Sequence, residues 1–121
     1  MRKLIIIIPH LPFPELSPNA RHHWAVKARA VKASREEIGW LDKAQWHDDK
    51  PMMKVRISYR FYVKDKRRRD ANNFLASVKS WSDGLIDAGV FWDDDTKHLV
   101  LGRVEVIPSD VEQSTITIEE L

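Results

Sequence analysis

The stretch from Met53 to Val63 alternates without a break, and this restricts the possible folds more than any other feature of the chain. Met53, Val55, Ile57, Tyr59, Phe61 and Val63 fall on one side, and Lys54, Arg56, Ser58, Arg60 and Tyr62 on the other. A period of two is the signature of a strand, because successive side chains leave opposite faces of a pleated sheet. One face must therefore be buried against other elements. The opposite face, cationic with one aromatic, suits phosphate contact or plain solvation.

The other elements are read around that strand. Residues 3–9 are rich in β-branched side chains with no alternation, as expected of a strand buried on both faces. Prolines 9, 12, 14 and 18 then exclude a helix and predict an extended loop. From Ala20 to about Gln45 a long helix is expected, capped by Ser17 or Asn19. Trp24, Ala28, Val31, Ile38 and Leu41 recur at helical spacings to form its apolar stripe, with Gly39 as a weak point. Arg21, Lys27, Arg29, Lys32 and Arg35 occupy its other faces, as a DNA-facing surface or a solvated one. Asp70 or Asn72 is placed to cap a second helix running to about Ala88, with Gly89 as its stop. Its core stripe is Phe74, Leu75, Val78, Trp81 and Leu85, and Gly84 interrupts it. Strands over His98–Val106 and Ser114–Glu119 complete the chain, with Pro108, Ser109 and Asp110 turning between them and Ile116 and Ile118 facing inward. The order β-α-β-α-β-β predicts an α/β (α+β) fold: a single domain over residues 1–121, with a mixed sheet and two helices.

At 121 residues the chain is long enough for one real core. The net charge of +2 hides segregation, with cations gathered in 21–35 and 54–69 and acids in 83–95 and 105–120. There is no cysteine, so disulfides, thiolate nucleophiles and Cys-ligated zinc are excluded. The apolar run Leu4–Ile8 ends at Pro9, too short for a signal-peptide core or a membrane span.

Chemistry concentrates between Lys64 and Lys97. A basic run, Lys64, Lys66, Arg67, Arg68 and Arg69, ends at Asp70, and one helix later come Asp93, Asp94 and Asp95. Clustered cations neutralise a polyphosphate backbone. Carboxylates set into such a surface repel nucleic acid unless a hard cation such as Mg²⁺ stands between them. The juxtaposition points to a metal-dependent enzyme acting on nucleic acid. Taken singly, Asp70 reads equally well as a helix cap, and Asp93–Asp95 read more readily as a polar turn.

Together these residues resemble the RusA family of Holliday-junction resolvases, its phage-type members in particular. The residues that carry the resemblance are Arg67–Arg69, Asp70, Asn72, Asn73, Lys79, Asp83 and Leu85, Ala88 and Gly89, and Asp93 and Asp94, along with the stretch PELSPNARHHWAVKARAVK. It covers roughly residues 12–106. The resemblance implies a small, cytoplasmic, homodimeric endonuclease of prophage type that places paired nicks in four-way DNA junctions with Mg²⁺ or Mn²⁺. By position it implies Asp70, Asn72, Asp93 and Asp94 around the metal, with Lys79 beside the scissile phosphate. Lys66, Arg67, Arg68, Arg69, Asn73, Arg21 and Lys27 would contact DNA.

One departure matters. Asn72 stands where the family pattern has an aspartate. An amide oxygen can ligate a cation but brings no charge, so the expectation is a protein that binds junctions and cleaves them poorly, unless the extra acid Asp95 compensates. The rivals are a non-catalytic junction binder of the same fold and, from another class, a basic RNA-binding or protein-interaction domain. The histidines show no zinc-type spacing and are expected as phosphate contacts or exposed polar residues. Trp24 and Trp81 are expected in the core, and Trp92, next to the acids, on the surface as a DNA-stacking or dimer contact.

Overall fold

The computed structural model describes residues 2–17, 23–45, 50–64 and 71–121. Four strands, β1 (Lys3–Ile8), β2 (Val55–Val63), β3 (Leu99–Pro108) and β4 (Gln113–Glu120), form one mixed sheet in the order β1-β4-β2-β3. The helices are α1 (Trp24–Gln45), α2 (Ala71–Ala76) and α3 (Lys79–Asp87). The expected α+β fold is therefore the observed one. α1 begins at Trp24, with His23 outside it, and not at the expected Ala20; of its expected caps, Ser17 instead ends the turn at Pro14–Leu16 and Asn19 lies outside the described residues.

β2 is the keystone. It pairs parallel with β3 and antiparallel with β4, and β1 adds antiparallel to the far side of β4. Val55, Ile57, Tyr59, Phe61 and Val63 are all buried, so the alternation in the sequence marks the face that meets the helices, but Met53, expected on the same face, precedes the strand and is 62% exposed. Ile116 and Ile118 of β4 join them at zero exposure. The sequence neighbours β3 and β4 are not sheet neighbours; the loop between them passes the end of β2, where the Ser109 N–H donates to the Val63 carbonyl at 2.9 Å.

β1 corrects one expectation. It is not buried on both faces: Leu4, Ile6 and Ile8 are buried, whereas Ile5 and Ile7 are 47% and 53% exposed. Among the described residues helices cover one side of the sheet, and four isoleucines in a row look the same whichever side is covered. In the proline-rich loop, Pro14–Leu16 forms one short 3-10 turn, which a leading proline tolerates.

α1 corrects a second. Ile38 is buried and Leu41 packs on the core, but Trp24 is 74% exposed and Val31 is exposed too. The buried row is Ser34, Ile38 and Asp42, at i, i+4 spacing, and none of the first ten residues of the helix, Trp24–Ala33, is buried. The stripe has the right period, but its first half has no described element to bury it. Asp42 is buried with its Oδ1 lacking a hydrogen-bond partner, and desolvation pushes its carboxyl up to about 6.

The second expected helix is two helices. At Ser77 and Val78, both buried, the bonding tightens to Ser77 N–H on the Phe74 carbonyl (3.0 Å) and Val78 N–H on the Leu75 carbonyl (3.3 Å). α3 then packs Trp81 and Leu85 into the core and crosses α1 at Gly84. A Cβ on Gly84 would lie 2.1 Å from the Ile38 side chain and 2.8 Å from the Arg35 carbonyl oxygen, so only glycine permits this approach. α3 stops as expected at Gly89, whose φ of +80° lets its N–H reach the Ile86 carbonyl and the Val90 N–H the Leu85 carbonyl.

Candidate active site

α3 is amphipathic in a way that builds the site. Trp81 and Leu85 face inward, so Lys79 and Asp83, one turn apart, emerge together on the outer side. Beyond Gly89, Val90 and Phe91 are buried and tie the chain to the entrance of β2. Met52 N–H donates to the Val90 carbonyl (2.9 Å) and Trp92 N–H to the Met52 carbonyl (3.1 Å). The acids that follow therefore begin from a fixed point.

Each of the three acids does a different job. Asp93 Oδ1 accepts the Asp94 N–H at 2.7 Å and shapes the turn. Asp95 Oδ1 accepts from the Lys97 N–H, the His98 N–H and, at 2.6 Å, His98 Nδ1, closing a turn that delivers the chain into β3. Asp94 reaches Lys79, whose Nζ lies 3.2 Å from its Oδ2 and 3.4 Å from Asp83 Oδ1. The hydrogen bond from Lys79 holds the Asp94 carboxyl below the usual carboxylate range. Reciprocally, the bond to Asp94 and the charge of Asp83 raise the Lys79 ammonium. The pair is well exposed, so these effects place charges more than they stabilise the fold.

The structure thus brings Lys79 and Asp94 together, with Asp93 next in the turn. It adds Asp83, to which the sequence reading gave no role although its i, i+4 spacing from Lys79 was visible. Asp95 gives one oxygen, Oδ1, to the turn. Asp70, Lys66, Arg67, Arg68, Arg69 and Arg21 lie outside the described residues, as do the side chains of Asn72 and Asn73. Lys27 sits half-buried on α1. The cationic side of β2 is partly balanced by acids: Arg60 pairs with Glu105 at 3.4 Å, and Arg56 lies in register with Glu119. Trp92 is exposed, as expected.

The histidines have local partners. His98 holds Asp95, the exposed His23 accepts the Ala25 N–H at 3.2 Å, and His10 Nε2 contacts both oxygens of Glu37 at 2.8 Å. His22 and His47 lie outside the described residues. A groove of about 620 Å³ between α1 and the end of α3, lined by Val31, Lys32, Arg35, Trp40 and Asp87, does not include the acids of the turn.

A divalent cation can be tested against this donor set. Among the described residues no three carboxylates or imidazoles come close enough together to hold a metal ion. Two carboxylates converge on one ammonium, with Asp93 adjoining, so acid exceeds base and the donors are hard oxygens. In kind and charge the residues fit such a cation, and further ligands would have to come from the segment around Asp70.

The fold and the site define a small α+β protein with a mixed sheet, helices on one side and an acidic turn beside a lysine. No family model matches the chain. It is similar to a protein of Xylella fastidiosa (strain Temecula1 / ATCC 700964) described as uncharacterized, 35% identical over 86 residues that cover 64% of this chain and 54% of that protein. This chain spans about half the length of that relative. No described helix is long and apolar enough to cross a membrane.

Proposed function

We propose that the protein is a structure-selective DNA endonuclease of the RusA type, cutting four-way junctions by Mg²⁺- or Mn²⁺-dependent phosphodiester hydrolysis as a homodimer in the cytoplasm. The observation that carries this reading is the convergence of Asp94 and Asp83 on Lys79 at a turn anchored to the sheet. Asp94, with Asp70, Asn72 and Asp93, would hold the cation. A cation held there supplies charge stabilisation at the phosphoryl oxygens and acidifies water for in-line attack on phosphorus. Lys79 offers its ammonium to the negative charge that develops on the phosphate in the transition state. Asp83 keeps that ammonium beside Asp94. The Asp95–His98 contact fixes the turn, and the basic segments 64–69 and 21–35 receive the DNA backbone. Two cuts related by symmetry call for two sites related by a two-fold axis, which a homodimer provides.

A second reading, a junction binder that does not cut, is favoured by Asn72, which withholds a charge where the family pattern has one. Cleavage of a synthetic mobile four-way junction in Mg²⁺, by this protein and by Asn72→Asp, decides between them. Slow paired nicks that accelerate on Asn72→Asp support the endonuclease. Tight binding with no nick from either supports the binder. No preference for the junction over linear duplex removes both.

A further inference from the structure

Two glycines stand inside the paired helices, and they differ in what they do. Gly84 of α3 is required by packing, since a Cβ there would strike α1. Gly39 of α1 is not, because a Cβ built on it has nothing within 4 Å. A glycine inside a helix is less stable there than an alanine, so packing does not account for this one. Its bare Cα leaves space instead. Gly39 lines the groove between α1 and the end of α3, together with Ala28, Gly84 and Ala88, none of which has a side chain beyond Cβ.

The polar groups of that groove form a definite set. Trp40, beside Gly39, is 71% exposed, and the Lys43 ammonium lies over its ring, 5.0 Å from the centroid. Lys32, Lys43 and Glu36 are exposed side chains of the lining. Arg35 is engaged elsewhere: its guanidinium meets Asp87 Oδ2 at 2.6 Å, which balances both charges and ties α1 to α3. An aromatic plane, two ammonium groups and one carboxylate are left around an apolar slot.

A nucleobase with its flanking phosphates satisfies all of these groups. Its π-face stacks on an exposed indole, which every base can do. The phosphates on either side take up the two ammonium groups. An amino group on the base edge, such as N4 of cytosine, donates to a carboxylate. A wholly apolar occupant leaves the three charges unmatched, and a phosphate alone leaves the ring and the carboxylate unmatched. Lys43 over the ring then keeps the place of the base and moves to a phosphate when the base enters.

We propose that this groove holds one unpaired, amino-bearing nucleobase of a single-stranded stretch, stacked on Trp40. Lys32 and Lys43 sit at the neighbouring phosphates and Glu36 at the amino edge. Lys79, Asp83 and Asp87 follow at i, i+4 and i+8 along α3, so about 12 Å of helix separates Lys79 from the groove. Roughly three or four stacked nucleotides span that distance, so one strand can reach both places. The inference rests on the nucleic-acid part of the function proposed above and not on hydrolysis.

The test is fluorescence anisotropy, in EDTA, of end-labelled oligodeoxycytidine and of an abasic deoxyribose-phosphate oligomer of equal length. Both are titrated with the full chain, with Trp40→Ala and with Gly39→Leu. The unaltered chain should bind oligodeoxycytidine about tenfold or more tightly than the abasic oligomer. Trp40→Ala and Gly39→Leu should lose that preference and bind the abasic oligomer as before. Equal affinity of the unaltered chain for the two oligomers overturns the proposal, as does binding to neither. A folded Trp40→Ala that keeps the preference overturns it too, because the base then stacks elsewhere. Should Gly39→Leu not fold, Trp40→Ala decides, since its ring is exposed and its loss leaves the core intact. Failure of the nuclease reading looks different: the base preference stands, and Asn72→Asp makes no nick in Mg²⁺.

Discussion

The two sides of α3 obey opposite rules. On its inner side Trp81 and Leu85 are buried and Gly84 touches the backbone of α1, so each atom there has a neighbour already in place. On its outer side Lys79 stands in solvent beside the half-buried Asp83 and reaches Asp94 in the turn through a charged hydrogen bond. Nine residues therefore hold both the part of the molecule least tolerant of change and the part whose change costs the fold least. A packed face can position a reactive face without being part of it, and substitutions should separate the two.

The largest effect on stability should come from Trp81→Ala. Removing an aromatic ring that is 1% exposed is expected to cost about 3–5 kcal/mol, measured as a shift in the denaturant midpoint. Gly84→Ala comes next. Its new methyl group meets the Arg35 carbonyl as well as the yielding Ile38 side chain, so α3 must move away from α1, at roughly 2–3 kcal/mol. A variant as stable as the parent would mean that the helices do not cross this closely.

A smaller effect, with a pH signature, belongs to Asp42. Its carboxyl ordinarily titrates at 3.8 and in the fold at about 6, so the folded state binds the proton more tightly than the unfolded chain. The stability it contributes therefore falls as pH rises from about 4 to about 6 and stays low above that. Asp42→Asn removes this loss and should stabilise the protein by about 1–2 kcal/mol at pH 7.5, with little difference near pH 4. Thermal unfolding of both proteins across that range checks it. The exposed Asp94 and Asp95, whose carboxyls are lowered, act oppositely at acid pH in both proteins and cancel in the comparison.

The same division explains what the sequence disclosed. β2, Ile116 and Ile118, Trp81 and the stop at Gly89 were readable because periodicity and backbone conformation are local properties. Trp24 was not. A stripe of correct period shows which side of a helix is apolar, but whether anything covers it depends on where the helix ends relative to the sheet. Ile5 and Ile7 failed likewise, since an unbroken apolar run does not say how many faces are packed. The break at Ser77–Val78 left no proline or glycine to announce it. In the site, Lys79 and Asp94 were placed in one motif, but their contact depends on the bridge between Met52 and Phe91, which pairs residues far apart in the chain.

The most direct test of the central claim, that this lysine and acidic turn perform phosphodiester hydrolysis, is single-turnover nicking of a four-way junction in Mg²⁺ by Asn72→Asp alone and combined with Lys79→Ala or Asp94→Asn. Both additions should leave thermal stability within about 0.5 kcal/mol, because the pair is exposed. Each should slow nicking by about 100-fold or more, with junction binding retained. Nicking at an undiminished rate in either double variant would contradict the account, because hydrolysis would then be taking place elsewhere on the molecule.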